Sequence, residues 1–229
     1  MIARLFRKIH EWERSLHDRF THDIVDPFHR RQSKIYVDWF DHGVLRRLWH
    51  NYEKVAPGVF RSNHPDHDRL EDMVARGIRT ILNVRGGQHL AHHKFEEESC
   101  RKLGLELVTV PMSARTAPEA ETLLNLIRVM GEIEKPFLMH CKSGADRTGL
   151  AAAIYLMHYE NAPLSVARRQ LHPRFLHFRQ TKTGILDHVL DLYDERLKRG
   201  PIPFADWIAT EYDRDAAAQW FDRKPRKSA

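Results

Sequence analysis

The sequence predicts an α/β fold with a parallel-rich central sheet flanked by helices. Two observations carry that expectation. Between Val59 and His140, short runs of strand composition alternate with stretches of helical periodicity, and strands that alternate with helices pair in parallel. Beyond them the run GLAAAIYLM, from Gly149 to Met157, is apolar all round and poor in β-branched residues, which marks a helix buried in a core.

The elements follow in order. GVFRS at Gly58–Ser62 reads as a strand, and a helix starts at Pro65-Asp66 and runs through Val74. RTILNV at Arg79–Val84 is the next strand, the segment around Glu96–Leu103 the next helix, and LELVTV at Leu105–Val110 the strand after it. Pro118 opens a helix whose Leu123, Leu126, Ile127 and Met130 share one face, and Pro136–His140 is a short strand of buried character. After the apolar helix that follows Thr148, helices are expected at Leu164–Leu171, Gly184–Leu197 and Phe204–Tyr212, while the closing RKPRKSA reads as frayed. There is no internal repeat. The expected organisation is a basic, aromatic-rich extension at 1–54, a central domain at 55–200, and a helical extension with a basic tail at 201–229.

Composition narrows the function classes. The 229 residues carry 37 Lys and Arg against 31 Asp and Glu, a net charge of +6, and are 42% hydrophobic. Those figures suit one globular domain with terminal extensions and exclude low-complexity and disulfide-stapled scaffolds. The two cysteines, Cys100 and Cys141, are too few for a disulfide framework or a Cys-rich zinc module and fit a reducing compartment. The basic start MIARLFRKIHEWERSLHDRF is followed by no apolar run of ~7–15 residues, and no stretch offers the ~18 apolar residues of a membrane span. A cytoplasmic location is therefore expected, with peripheral contact to an anionic membrane open to the basic leader.

Chemistry concentrates in HCKSGADRTG, His140 to Gly149, between a strand and a helix. A tight strand-loop-helix connection turns its backbone N–H groups inward and aims the positive end of the helix at the loop's centre, which suits a tetrahedral dianion. Gly144 lets the backbone curl without a Cβ. The same field favours a Cys141 thiolate, lowering its pKa from the ~8.5 of a free thiol. Arg147 returns to the loop with a planar fork for two phosphate oxygens. A thiolate facing a cradled phosphorus is a nucleophile placed for covalent catalysis.

This segment resembles the His-Cys-x5-Arg-(Ser/Thr)-Gly signature of the cysteine-dependent protein tyrosine and dual-specificity phosphatases. PGVFRSNHP and GIRTILNVRGG extend the likeness to the compact, atypical dual-specificity branch of bacteria, fungi and plants, over roughly Val55 to Glu160. The resemblance implies Cys141 as the nucleophile that forms a phosphocysteine, Arg147 as the phosphate clamp, and Thr148 as the hydroxyl that steadies the leaving thiolate. It implies that His140 orients the loop and that backbone amides from Lys142 through Ser143, Gly144, Ala145 and Asp146 to Arg147 bind the phosphoryl oxygens. It implies no metal and no cofactor. Gln180-Thr181 resembles the glutamine-bearing loop that positions water in the tyrosine phosphatases.

The general acid departs from the family pattern. The stretch VPMSARTAPEAE, where most members carry an Asp, has none, and Glu119 and Glu121 read as first-turn residues of the following helix. Asp146 is the better candidate, similar to the loop Asp of the lipid-directed branches, with bracing of the loop as its alternative role. Asp38 and Asp41 in the leader are outside candidates that would have to fold over the site.

Other features are weighed against plainer roles. Cys100 reads as a helix residue. His64-x-x-His67 and the group His89, His92 and His93 suggest a metal, but neither has a full ligand set and solvated histidines account for them better. Arg61 and Arg85 end two strands at the edge where ligands gather, and would contact a second anionic group or form surface salt bridges. Pro163–Lys182 carries Arg168, Arg169, Arg174, Arg179 and Lys182 with no acidic residue, a patch that concentrates anions. No nucleic-acid module accompanies it. The expected substrate is a phosphoinositide, another anionic phospholipid or an inositol phosphate, with phosphotyrosine protein next and a phosphate-binding pseudophosphatase as the non-enzymatic alternative.

Overall fold

The computed structural model describes residues 24–223. Its centre is a five-stranded sheet in the order β1-β2-β5-β3-β4, formed by β1 (Glu53–Ala56), β2 (Val59–Asn63), β3 (Thr80–Asn83), β4 (Glu106–Thr109) and β5 (Phe137–Cys141). Only β1 runs antiparallel to its neighbour; β2, β5, β3 and β4 are parallel. This is the parallel-rich sheet the alternation predicts. The added strand β1 forms a hairpin with β2 across Pro57-Gly58, where Gly58 takes φ 73°. EKVA is too short and too polar to stand out as a strand, and the boundary expected at residue 54 falls inside it.

Ten α-helices surround the sheet among the described residues: α1 (Pro27–Ile35), α2 (Gly43–Leu48), α3 (His67–Ala75), α4 (Ala91–Leu103), α5 (Ala120–Glu132), α6 (Asp146–Tyr159), α7 (Leu164–Ala167), α8 (Ile185–Leu197), α9 (Phe204–Thr210) and α10 (Arg214–Arg223). Asp26 caps α1 with its carboxylate, Pro27 opens it, and a π turn at Tyr36–Phe40 follows. Helix α4 starts at Ala91, a turn before the sequence suggests, because HHK continues the helix although it lacks apolar periodicity. The tail RKPRKSA, expected to be frayed, lies largely outside the described residues.

Side-chain alternation along β5 divides the core. Phe137, Met139 and Cys141 enter the larger cluster with α5, α6 and α8, whereas Leu138 enters a smaller one with Leu70 and Met73 of α3 and Cys100 of α4. Leu150, Ala151, Ala152, Ala153, Ile154 and Tyr155 of α6 have no solvent exposure, as an all-round apolar helix requires. Phe204, Trp207, Ile208 and Ala217 join the same cluster. The segment from 201 onward, expected as an extension, thus completes the core. No described helix is long and apolar enough to cross a membrane.

Candidate active site

The parallel register sets Asn63 beside Cys141 and Asn83 beside His140 at the carboxyl edge of the sheet. From Cys141 the chain makes a four-residue loop and enters α6 at Asp146, so the amino end of a long buried helix faces the thiol. Gly144 has φ 70°, and a Cβ there would lie 2.6 Å from the backbone of Ser62 and Asn63, so only glycine closes this turn.

The loop is held from every side. Below it, the Arg61 guanidinium, with 0% exposure, donates to the Gly144 carbonyl, to the Gln170 carbonyl at 2.8 Å and to Gln170 Oε1 at 2.6 Å, and stacks 3.7 Å over the Phe175 ring. Burial pulls this guanidinium down to about 10 against the support of the Cys141 charge. Arg61 is thus tied into the floor of the loop with no solvent exposure. From the leader, Asn51 Nδ2 donates to the carbonyls of Ser143 (2.7 Å) and Phe175 (2.9 Å). Behind the loop, His140 Nε2 lies 2.6 Å from Glu96 Oε1, and Asn83 Nδ2 donates to Glu96 Oε2 at 2.6 Å. His140 is fully buried behind the loop.

Asp41 takes a role other than acid. It is 4% exposed and accepts from Arg46 (3.0 Å), Arg85 (2.7 Å) and Lys142 (2.9 Å). Burial alone would raise its carboxyl, but Arg85, Lys142 and Arg46 hold it far below the usual carboxylate range, so it carries no proton to give. Arg85 gives Nη2 to this pairing, its carbonyl accepts from Arg147, and its buried Nη1 has no partner within the protein. Asp38 is paired with Lys34 and Arg47 away from the catalytic cleft. Asp41 is thus an ionised link between leader and loop, and Asp38 lies outside the lining of the cleft.

A cleft of about 690 Å³ opens over the loop, lined by Lys142, Ser143, Asp146 and Arg147 with His42, Leu45, Arg46, Trp49, Asn63, Ser113, Ala114, Arg115, Leu176 and Thr183. Arg147 is steadied by the Arg85 carbonyl at 3.2 Å and the Met112 carbonyl at 3.4 Å through one terminal nitrogen, while its buried Nε has no partner within the protein. Burial pushes the Cys141 thiol up, yet the charge of Arg147 and the polar groups of Thr148 beside it outweigh this and leave the thiol below its ordinary value. Cys100, on the other face of the sheet, goes the other way: burial and the nearby Glu96 and Glu97 push it up to about 12. Asp146 sits at the cleft with Oδ1 2.7 Å from Nδ1 of His177. Gln180 is exposed, and Thr183 rather than Gln180-Thr181 reaches the cleft.

The remaining candidates are redistributed. His92 and His93 are 4% and 5% exposed, not solvated; burial and nearby Arg85 pull His92 down to about 2. His64, Glu96 and His140 bring three donor atoms within 4.8 Å of one another. Bonds of ~2.0–2.2 Å to a tetrahedral ion would spread two donors to about 3.3 Å, whereas His140 Nε2 and Glu96 Oε1 lie 2.6 Å apart, an ion-pair distance at which neither atom has hydrogen-bond geometry. The basic stretch after Pro163 is largely neutralised: Arg168 and Arg179 meet Asp191, and Arg174 meets Glu53. Those acids come from β1 and α8, which is why the one-sign reading of the segment fails. Sequence reasoning also missed Asn51, Glu96, His177 and Asp187, whose partners are distant in the chain.

A thiol ending a buried parallel strand, beneath an arginine that returns from the first turn of the next helix, is the arrangement shared by the cysteine-based phosphatases of the dual-specificity and tyrosine phosphatase class. The model of one family, described as DSP-PTPase phosphatase fused to NAD+ kinase, matches residues 51–182, more than half of the chain, and the chain belongs to that family. It is similar to the inositol diphosphatase DSP5 of Arabidopsis thaliana, with 28% identity over 107 residues that cover 43% of this chain and 50% of that protein. It is likewise similar to the dual specificity protein phosphatase TpbA of Pseudomonas aeruginosa (strain UCBPP-PA14), with 28% identity over 109 residues, 46% of this chain and 45% of that one. The chain spans about half the length of these relatives. Among solved structures, a mutant form of Tk-PTP superposes with a TM-score of 0.50 at 25% identity, covering 65% of this chain and 97% of that one. The catalytic core of the PP-IP phosphatase SIW14 from S. cerevisiae reaches 0.53 at 20% identity over 66% and 90% of the two chains, a likeness of fold.

Proposed function

We propose that this chain hydrolyses phosphate monoesters through a phosphocysteine at Cys141, and that its substrate is a small, highly anionic phosphate such as an inositol phosphate or a phosphoinositide headgroup. The thiolate forms the bond to phosphorus while Asp146 gives the leaving oxygen its proton; water then breaks the P–S bond and returns the thiolate, steadied by Thr148. Arg147 and the N–H groups of Lys142 to Arg147 hold the phosphoryl oxygens, in a loop that His140, Arg61 and Asn51 keep in shape.

One observation carries the substrate class. Arg115 lines the cleft with no ion-pair partner among the described residues, beside Lys142, Arg147 and His42, and Asp146 is the one carboxylate among the lining residues. A second phosphate would meet Arg115 without first displacing a carboxylate. The Arabidopsis relative, an inositol diphosphatase, takes a substrate of the same kind. A phosphotyrosine side chain is the second reading, favoured by the apolar wall of Leu45, Trp49 and Leu176.

A panel of inositol phosphates, phosphoinositides and phosphotyrosine peptides, with Cys141→Ser as the inactive control, tests both. On the first reading Arg115→Ala raises KM for inositol polyphosphates and leaves phosphotyrosine peptides unchanged. Preference for the peptide with no effect of Arg115→Ala selects the second. Binding of tungstate without turnover of any ester by the wild-type chain would leave a phosphate-binding module.

A further inference from the structure

Asp146 does not stand alone at the cleft. Behind it the His177 ring, 1% exposed, places Nδ1 2.7 Å from Asp146 Oδ1 and Nε2 2.6 Å from Oδ2 of Asp187 on α8. Neutral imidazole has one N–H and satisfies one carboxylate; donating to both requires the imidazolium. Asp146 and Asp187 are the charged groups that bear on the ring among the described residues, and against the opposing effect of burial they raise His177 to about 9. Asp41 is held by arginines and a lysine that keep their protons, whereas the partner of Asp146 is an imidazole that can release one.

We propose that Asp187 orients His177, and that His177 fixes the Asp146 carboxylate toward the scissile oxygen and shares with it the proton that the leaving group takes. His177 is a positioning residue and proton partner that does not touch substrate, and the inference rests on the phosphocysteine reading above. In the first step the Cys141 thiolate bonds to phosphorus, the P–O bond breaks, and the leaving oxygen takes the proton of the Asp146–His177 pair, leaving carboxylate and neutral imidazole. In the second, water attacks phosphorus, the P–S bond breaks to return the thiolate, and the proton lost by the water restores the pair. The pair thus stores one proton at a pH where an isolated carboxyl group has none.

The test is the pH profile of kcat on two leaving groups. With an alkyl phosphate, the wild-type rate should persist to about pH 9 and then fall. His177→Gln keeps a donor toward Asp146 but no proton to supply, so this limb should move several pH units downward and the alkyl-phosphate rate at neutral pH should fall ~10²–10⁴-fold. The rate on para-nitrophenyl phosphate, whose leaving group needs no proton, should change little. Asp187→Asn should shift the limb the same way by less. Equal losses on both substrates, or a limb that stays in place in both variants, overturns the proposal. If His177→Gln does not fold, Asp187→Asn and an NMR titration of the His177 ring decide, and a wild-type ring titrating near the ordinary ~6.5 overturns it. Asp146→Asn separates the two levels: loss confined to the alkyl phosphate there but absent from the His177 and Asp187 variants sinks only the role of His177, while equal loss on both substrates removes Asp146 as the acid, and this proposal with it, and leaves the phosphocysteine at Cys141 standing.

Discussion

Arg61 donates to the carbonyl of Gly144, tying a strand residue with no solvent exposure to the one loop position that must be glycine. Both are buried beneath the catalytic thiol. Arg61→Leu would strip the Gly144 carbonyl and both Gln170 acceptors of their donor at once. Hydrogen bonds to a charged group contribute about 1.5–3 kcal/mol and buried acceptors left without donors add to the loss, so the expected destabilisation is on the order of 3 kcal/mol. Urea unfolding of the variant measures it. Tungstate affinity should fall in parallel, because the loop that cradles the anion loses its floor; full affinity with reduced stability would show a loop that holds itself.

Arg147→Lys keeps the charge and loses the fork. The wild-type guanidinium is preset by the carbonyls of Arg85 and Met112, and a lysine ammonium cannot meet those acceptors and two phosphoryl oxygens together. Removing one preorganised donor to a developing anion costs about 10²–10³-fold in rate, so kcat should drop by that factor with a smaller change in KM. Steady-state kinetics on an aryl phosphate reads both.

Asp41→Asn leaves Arg46, Arg85 and Lys142 facing one another without their anion. Breaking a buried pair costs about 3–5 kcal/mol, and the leader should loosen from the loop. Limited proteolysis around residues 40–50 measures the second effect. The folded carboxyl lies far below its ordinary value, so the stabilisation by Asp41 is complete above the unfolded pKa of ~3.9 and fades only as pH falls below it.

His177 gives stability the opposite pH dependence. Its folded value of about 9 lies above the ordinary 6.5, so its contribution is full below 6.5 and is lost as pH rises through 9. The magnitude is on the order of 3 kcal/mol. Melting temperatures between pH 6 and 10 should fall across that window in the wild-type chain and stay flatter in His177→Gln.

The sheet and the nucleophile loop were legible because they are written locally. HCKSGADRTG places Cys141, Gly144, Arg147 and Thr148 within one turn of chain, and the period of GLAAAIYLM needs no partner to be read. What supports the loop is written across the chain. Arg61 looks like a strand-end cation until Gln170 and Gly144 fold over it. Asp41 looks like a spare acid until Arg46, Arg85 and Lys142 close around it. The pairing of His177 with Asp146 and Asp187 leaves no local pattern, since a lone His in HFRQ offers no period and no spacing to either carboxylate. The hairpin strand β1 escaped for a different reason: its four residues gain their β character from pairing with β2, not from their composition.

His140 and Cys141 leave β5 in opposite directions, the imidazole toward Glu96 and the thiol into the larger core cluster. Adjacent residues on a strand always do so, and a one-residue slip exchanges them. Shifted against Asn63 and Asn83, β5 would present an imidazole to the anion cradle and bury the sulfur against a carboxylate, with every residue of the motif still present. Catalytic competence in this chain is therefore a property of strand alignment: a deletion or insertion in the turn before Phe137 would silence the enzyme without touching one of its functional side chains.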